Sequence, residues 1–286
     1  MTILTVEGLC KRYPSFYLRD VSFTLETGYI MGFIGSNGAG KTTTLKSMIN
    51  LVHKDSGVVR ILGKDFTQNE IELKQDLGIM FGGVDYYRKH KIYQISRVVR
   101  RFFKNWDDDI YQTYLRRFSI DENKRVEELS NGMRVKYSLA LAMSHQAKLF
   151  LLDEPTSGLD PVARDDILDL FQELIEDGSR SILFSTHITS DLEKCADYIT
   201  YIENGQIIES RSKDDVLSAY RIVKGKQDQL PSISSKLIGY KKNAFGFTGL
   251  TKNSDLQGSG SLLIEPASLE DIMIYTRRKN NEESIV

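Results

Sequence analysis

Gly35-Ser36-Asn37-Gly38-Ala39-Gly40-Lys41-Thr42 combines the residue types and spacing that hold a chain of phosphates. It matches G-x-x-x-x-G-K-[ST]. Successive backbone N–H groups in a glycine-rich turn form an anion-binding nest, and a helix that follows adds its positive N-terminal end. In such a loop Lys41 reaches the β- and γ-phosphates, and the Thr42 hydroxyl holds Mg²⁺.

A second cluster of chemistry lies further on. Asp153-Glu154 directly follows the apolar run Leu149-Phe150-Leu151-Leu152. A carboxylate at the end of a strand beside a phosphate loop is a Mg²⁺ ligand, directly or through water. A glutamate next to it suits orienting or deprotonating an attacking water. His187 follows the strand-like Ser181–Thr186, 34 residues after Asp153, with one helical stretch between. That is the length of one βαβ unit. The two strands are then parallel, so Asp153, Glu154 and His187 emerge on the same C-terminal sheet edge as the phosphate loop. Open α/β sheets bind ligands at that edge. A lone histidine is commonly structural, but this placement favours contact with a γ-phosphate.

These groups need a scaffold. Tyr29–Ile34 reads as a buried strand entering the loop, and Leu45, Met48 and Ile49 recur at helical spacing after it. Residues 2–8 and 21–27 read as antiparallel strands with Pro14 in their connection. Val58–Leu62 is strand-like, Gly63-Lys64-Asp65 turn-like, 70–76 a short helix, and Leu77–Phe81 a buried strand. Lys41 and Asp153 are 112 residues apart, too many for one crossover, and a helical block at about 84–145 fills the gap. There Ile92, Ile95, Val98, Val99, Phe102, Phe103 and Trp106 recur at three- and four-residue steps. Ile167, Leu170, Phe171, Leu174 and Ile175 share a helix face that stops at Gly178. Tyr198–Ile202 and Gln206–Glu209 read as a hairpin across Asn204-Gly205. Ser212-Lys213-Asp214-Asp215 looks like a capped helix start. Residues 221–264, with the turn Gly258-Ser259-Gly260-Ser261, alternate strands and turns, and a last helix covers about Leu269 to Arg278. The expected fold is therefore α/β: a P-loop NTPase core with a mixed, mainly parallel sheet, an antiparallel N-terminal β-subdomain and an inserted helical subdomain (1–210). A small α+β C-terminal domain follows (211–286).

Composition narrows the classes. Of 286 residues 41% are hydrophobic, enough for a normal core. A formal net charge of −1 gives no global reason to expect nucleic acid. Cys10 and Cys195 lack metal-ligand spacing and suit a reducing cytosol. Met1–Glu7 lacks the basic and apolar regions of a secretion signal. No apolar run approaches the ~20 residues of a membrane span. Work at a membrane would need spans from another chain.

In order and spacing the motifs over residues 1–210 resemble the ATP-binding cassette superfamily. Leu129-Ser130-Asn131-Gly132-Met133 looks like its signature, usually Leu-Ser-Gly-Gly-Gln. Ser157-Gly158-Leu159-Asp160 looks like the D-loop, His187 takes the switch-histidine place and Tyr13 the aromatic place that stacks on adenine. The resemblance implies an ATPase with ATP and Mg²⁺ as ligands. Lys41 and the amides of Gly35, Ser36, Asn37, Gly38, Ala39 and Gly40 hold phosphates, Thr43 touches the α-phosphate, and Thr42 and Asp153 hold the metal. Glu154 activates water and His187 senses the γ-phosphate. Ser130, capping the helix that starts near Asn131, acts with Gly132 in trans, on a nucleotide held by a second ATPase subunit; Asp160 belongs to the same site. Homodimer and heterodimer with a sister ATPase both remain open. Two departures stand out. Gly82-Gly83 occupies the place of the family's usual glutamine, which puts coupling and rate in question. Met133 cannot donate the hydrogen bond that a glutamine would.

Ala267-Ser268-Leu269-Glu270-Asp271-Ile272-Met273 resembles the ending of ATPase subunits from bacterial two-component exporters of antimicrobial peptides, lantibiotics, drugs and amphipathic toxins. The phenol-soluble-modulin exporters of staphylococci are of this type. An ordinary capped helix explains the same residues. The exporter reading implies an integral-membrane permease as partner and a cytoplasmic location, peripheral at the inner face of the membrane. From Arg88 to Lys104 there are seven Lys or Arg and no acid. This run suits permease loops or anionic headgroups, and equally a solvated helix face. Tyr86 and Tyr87 suit a permease groove or plain packing. The alternative class is a soluble cassette ATPase acting on ribosomes or DNA. Against it stand the single cassette, the absence of long coiled coils and the charge balance.

Overall fold

The computed structural model describes residues 1–81, 87–255 and 262–282, with side chains to Thr276. Gly82, Gly83, Tyr86 and the turn Gly258–Ser261 lie outside the described residues. The chain divides into two compact units, Met1–Ser210 and Arg211–Val286.

The first unit opens with β1 (Thr2–Tyr13) and β2 (Phe16–Glu26), then β3 (Ile30–Ile34) and α1 (Lys41–Met48). β4 (Ser56–Ile61), β5 (Lys64–Asp65), α2 (Glu70–Leu73) and β6 (Leu77–Phe81) follow. The helical insert carries α3 (Ile92–Val99), α4 (Asp108–Arg117) and α5 (Asn131–Ser144). The chain returns with β7 (Leu149–Asp153), α6 (Pro161–Ile175), β8 (Ser181–Thr186), α7 (Thr189–Cys195), β9 (Tyr198–Glu203) and β10 (Gln206–Ser212).

Two sheets enclose the core. One is antiparallel, in the order β2-β1-β4-β5. The other runs β10-β9-β3-β8-β7-β6, and within it β9, β3, β8, β7 and β6 are parallel to one another. Strands joined by helical crossovers must be parallel and buried on both faces, and every residue of β3 and β8 is buried. Leu45, Met48 and Ile49 of the α1 segment join one apolar cluster with Leu4 and Leu18 of the antiparallel sheet and Leu149 and Leu183 of the parallel one. The helix that follows the phosphate loop is thus gripped from both sides.

Four local expectations differ from the structure. The strands expected at 2–8 and 21–27 extend towards each other as β1 to Tyr13 and β2 from Phe16, with register shifts around Gly8 (φ 61°) along the ladder. Lys64-Asp65 is not turn but a two-residue strand on Arg60 and Ile61; the turn lies at Leu62-Gly63, both with positive φ. β6 is the edge of its sheet, so Ile79 is exposed rather than buried. In the insert, α3 ends at Val99 and a 3₁₀ turn leads to Phe102. The Gln75 side chain takes Phe102 O (2.9 Å) and Lys104 N (3.0 Å), and the Phe103 ring stacks on His145 at 3.7 Å. Phe102 is exposed, and so is Val98 within α3. Ile92 and Ile95 do enter the insert's core, with Tyr111, Leu115 and Tyr137. There Ser96 Oγ meets Tyr111 OH at 2.5 Å and Tyr137 OH at 2.8 Å. Burial raises both phenols, Tyr111 to about 12.

The second unit contains α8 (Lys213–Ala219), β11 (Tyr220–Gly225), α9 (Leu230–Ile233), β12 (Leu237–Asn243), β13 (Gly246–Lys252), β14 (Leu263–Pro266) and α10 (Leu269–Glu282). Its antiparallel sheet has the order β12-β13-β11-β14. Ser212 Oγ caps α8 by accepting from Asp215 N at 3.1 Å. Ser268 Oγ accepts from Asp271 N at 3.1 Å at the start of α10, whose Leu269, Ile272 and Tyr275 are buried.

Candidate functional site

The phosphate loop leaves β3 at Gly35 and enters α1 at Lys41. Gly38 (φ 84°) and Gly40 (φ 113°) sit in backbone conformations that L side chains rarely adopt. At Gly40 space is also short: a Cβ would lie 2.8 Å from the Phe16 ring. Lys41 is only 6% exposed. Its Nζ donates to Gly35 O (2.8 Å) and Ser36 O (3.2 Å) and pairs with Glu154 Oε1 at 3.2 Å.

Parallel pairing of β7 with β8 sets Asp153 beside Ser185. Ser185 Oγ donates to Asp153 Oδ1 at 2.6 Å and accepts from Glu154 N at 3.0 Å. Thr42 Oγ1 donates to Asp153 Oδ2 at 2.8 Å. Glu154 has a positive φ of 52°. Such a backbone is costly for a side-chain-bearing residue and needs support from its surroundings; the two Ser185 contacts, with Glu154 N also 3.2 Å from Ser185 O, supply it. His187 Nδ1 lies 2.8 Å from Glu154 Oε2.

Lys41, Thr42, Glu154 and His187 border one open cleft of about 790 Å³, whereas Asp153 and Ser185 are not among its lining residues. Tyr13, Ser36, Asn37, Gly38, Gly40, Lys41, Thr42, Thr43, Glu154 and His187 all line it, as do Phe16 and Ser157. Tyr13 is at the tip of the β1–β2 hairpin, paired with Phe16, with Lys11 Nζ 5.6 Å from its ring centroid. Gly35 and Ala39 are buried behind the lining. Among the described residues no three His, Cys, Asp or Glu side chains gather as a metal cage. Thr42 and Asp153 offer hard oxygen donors, which fit Mg²⁺ completing its shell with phosphate oxygens and water.

Ser130, Gly132 and Asp160 do not line this cleft. Ser130 Oγ caps α5 by accepting from Met133 N at 3.2 Å. Gly132 is buried against α6, where a Cβ would come within 3.3 Å of Ala163 Cβ. Met133 packs on the insert's apolar core. Asp160 caps α6, its Oδ1 accepting from Val162 N and Ala163 N at 3.0 Å. In one chain, then, the structure brings together the phosphate loop, acidic pair and histidine, and leaves the Ser130 group elsewhere.

Sequence reasoning misses Ser185 and Phe16. Ser185-Thr186 carries a signal, two hydroxyls ending an otherwise apolar strand just before His187. Phe16 carries none, since its role depends on the hairpin folding back over Gly40. Asp191 is also missed. It is fully buried, and burial raises its carboxyl above the usual range. Thr156 Oγ1 donates to its Oδ2 at 2.5 Å, which ties the segment before Asp160 to α7.

Comparison with known proteins identifies the family. Residues 18–157 match the family model described as ABC transporter. The chain is 32% identical over 203 residues to the ABC transporter ATP-binding protein YtrB of Bacillus subtilis, covering 71% of this chain and 69% of that protein. It is 30% identical over 213 residues to the bacitracin transport ATP-binding protein BcrA of Bacillus licheniformis, covering 73% and 69%. A solved ATP-binding subunit of an ABC transporter superposes with a TM-score of 0.67 at 26% identity, over 75% of this chain and 91% of that one. The chain belongs to the ABC transporter family, as an ATP-binding subunit.

Proposed function

We propose that this chain hydrolyses ATP as one of two ATPase subunits beneath a separate membrane permease, and that the assembly exports a peptide, toxin or drug. The observation that carries the catalytic part is the convergence of Lys41, Thr42, Glu154 and His187 on one cleft, with Asp153 bonded to Thr42 at its edge. ATP enters with its adenine against Tyr13 and its phosphates on the amides of Gly35–Thr42, with Thr43 at the α-phosphate. Lys41 then exchanges the Gly35 and Ser36 carbonyls for phosphate oxygens, an anion for which its charge is better suited. Glu154 loses its lysine partner and is free to accept a proton from the attacking water. His187, already at the Glu154 carboxylate, turns to the γ-phosphate. Thr42 and Asp153 would hold Mg²⁺, which neutralises charge developing on the β- and γ-phosphates.

The position of Ser130, Gly132 and Asp160 outside the cleft supports a site completed by a second subunit. The capped start of α5 presents helix N–H groups that suit a phosphate. Nucleotide then joins two subunits and hydrolysis releases them, which converts chemistry into movement. Among the described residues no helix is long and apolar enough to cross a membrane. The permease reading therefore assigns the spans to another chain and this one to the inner membrane face. Export of a peptide-like cargo rests on the likeness to a bacitracin transport protein and on the ending Ala267–Met273.

The test is Glu154→Gln. The variant should bind ATP, fail to release phosphate and accumulate as an ATP-bound dimer. Hydrolysis at the wild-type rate would exclude Glu154 as the base. For the partner, recovery of the native complex with a polytopic membrane protein is expected, and recovery with ribosomes would overturn the exporter reading.

A further inference from the structure

Glu203 ends β9 and is 5% exposed. Its carboxylate meets no cation among the described residues. Its partners are hydroxyls: Ser36 Oγ lies 3.2 Å from Oε1 and 3.1 Å from Oε2, and Tyr201 OH lies 3.4 Å from Oε2. A carboxylate withdrawn from water without a counter-charge is expensive. What this one holds is a residue of the phosphate loop.

The surroundings extend that grip. β9 lies beside β3, pairing Ile34 with Tyr201, so its end runs alongside the loop. A Cβ at Gly35 would come within 2.4 Å of Ile202 O, so backbone lies directly on backbone there. Past Glu203 the chain reverses at Asn204 (φ 48°) and Gly205 (φ 76°). Gly205 N donates to Ala39 O at 3.0 Å, and Gly205 O accepts from Arg19 N at 2.8 Å. Ser36 itself is held at both ends, its hydroxyl by Glu203 and its carbonyl by Lys41 Nζ at 3.2 Å and Ala39 N at 3.1 Å. When Lys41 leaves for a phosphate, the hydroxyl contact to Glu203 and the Gly205–Ala39 bond still fix the loop.

We propose that Glu203 is a positioning residue of the nucleotide site: its buried carboxylate, through the Ser36 hydroxyl, keeps the phosphate loop in its binding shape before ATP arrives. Preorganisation of this kind lowers the ordering cost of binding. It acts on the loop and not on the reacting atoms, so it strengthens nucleotide binding and leaves the chemical step alone. The inference rests on Gly35–Thr42 being the phosphate loop.

The experiment measures equilibrium ATP affinity, KM, kcat and Tm on the full chain. Ser36→Ala and Glu203→Ala should each weaken ATP affinity on the order of tenfold, the loss of one charge-assisted hydrogen bond. KM should rise with kcat held, as for an interaction made equally in ground and transition states. The double variant should be no weaker than either single one, because both remove the same contact. Glu203→Gln, whose amide oxygen still accepts from Ser36, should recover most of the affinity. If Glu203→Ala does not fold, Ser36→Ala against Ser36→Thr carries the same comparison, since threonine keeps the hydroxyl. Unchanged affinity in Ser36→Ala, additive losses, a fall in kcat without a rise in KM, or a Gln variant as weak as the Ala variant would each overturn the proposal. Lys41→Ala separates the two readings. If it loses ATP while Ser36→Ala binds normally, only the role of Glu203 fails. If it keeps ATP, the phosphate-loop assignment fails and this inference with it.

Discussion

Lys41 and Glu154 are in contact, Nζ to Oε1 at 3.2 Å, and the other Glu154 oxygen is 2.8 Å from His187 Nδ1. The residue proposed to activate water is held between those proposed to bind and to sense the γ-phosphate. Losing the carboxylate therefore removes the base but also frees Lys41. Glu154→Gln should bind ATP at least as well as the parent and turn over about 10²–10⁴-fold more slowly. Phosphate release and nucleotide binding, measured side by side, check both halves; weaker binding would contradict the Lys41 pairing.

Ser185 supports both members of the acidic pair. Ser185→Ala removes a donor to Asp153 and an acceptor for Glu154 N. The expected cost is about 1–3 kcal/mol of stability, since two polar groups lose a partner. Mg²⁺-dependent stabilisation by ATP should weaken more than stabilisation by ATP with chelator. Melting curves in both conditions give the answer, and equal weakening would place the effect in folding alone.

His145 is 4% exposed, stacked on Phe103, with Nδ1 3.1 Å from Gln75 O. Burial lowers its pKa from 6.5 to about 4. The folded chain thus binds fewer protons than the unfolded one between those values. The stability contribution is intact above the unfolded pKa and is lost as pH falls toward 4, by about 3 kcal/mol in all. Denaturant unfolding from pH 7 to 4 should show this slope, flattened in His145→Gln. An unchanged slope would place the acid sensitivity elsewhere.

Gly63 and Gly205 have nearly the same φ, 77° and 76°. A Cβ at Gly63 meets nothing within 4 Å, whereas at Gly205 it would lie 2.1 Å from Tyr17 O. Gly63→Ala should cost only the backbone penalty, about 1–2 kcal/mol. Gly205→Ala must also push β2 off the hairpin and should cost clearly more, with weakened ATP binding because Gly205 N holds Ala39 O. Equal Tm shifts would count against the clash.

The phosphate loop, acidic pair and histidine are legible in the order of residues because their chemistry depends on local spacing. A nest needs glycines at fixed offsets, and a βαβ unit of the observed length must bring Asp153 and His187 to one sheet edge. The insert is legible as helix but not where its helix ends. Val98 and Phe102 keep the three- and four-residue rhythm, yet α3 ends at Val99, and Gln75 and His145, distant in sequence, hold the Phe102–Lys104 segment that follows.

Sequence alone thus determined the residue types of the site, the parallel order of its strands and the direction in which they present their ends, because these follow from periodicity and chain connectivity. Only the tertiary structure decided that Ser185 holds both carboxylates, that Phe16 closes over Gly40 and that a buried Glu203 reaches Ser36. Ser185 and Glu154 are 31 positions apart, and Ser36 and Glu203 are 167 apart. Spacing along the chain carries no record of such contacts, since they arise from which strands lie side by side once the core has packed.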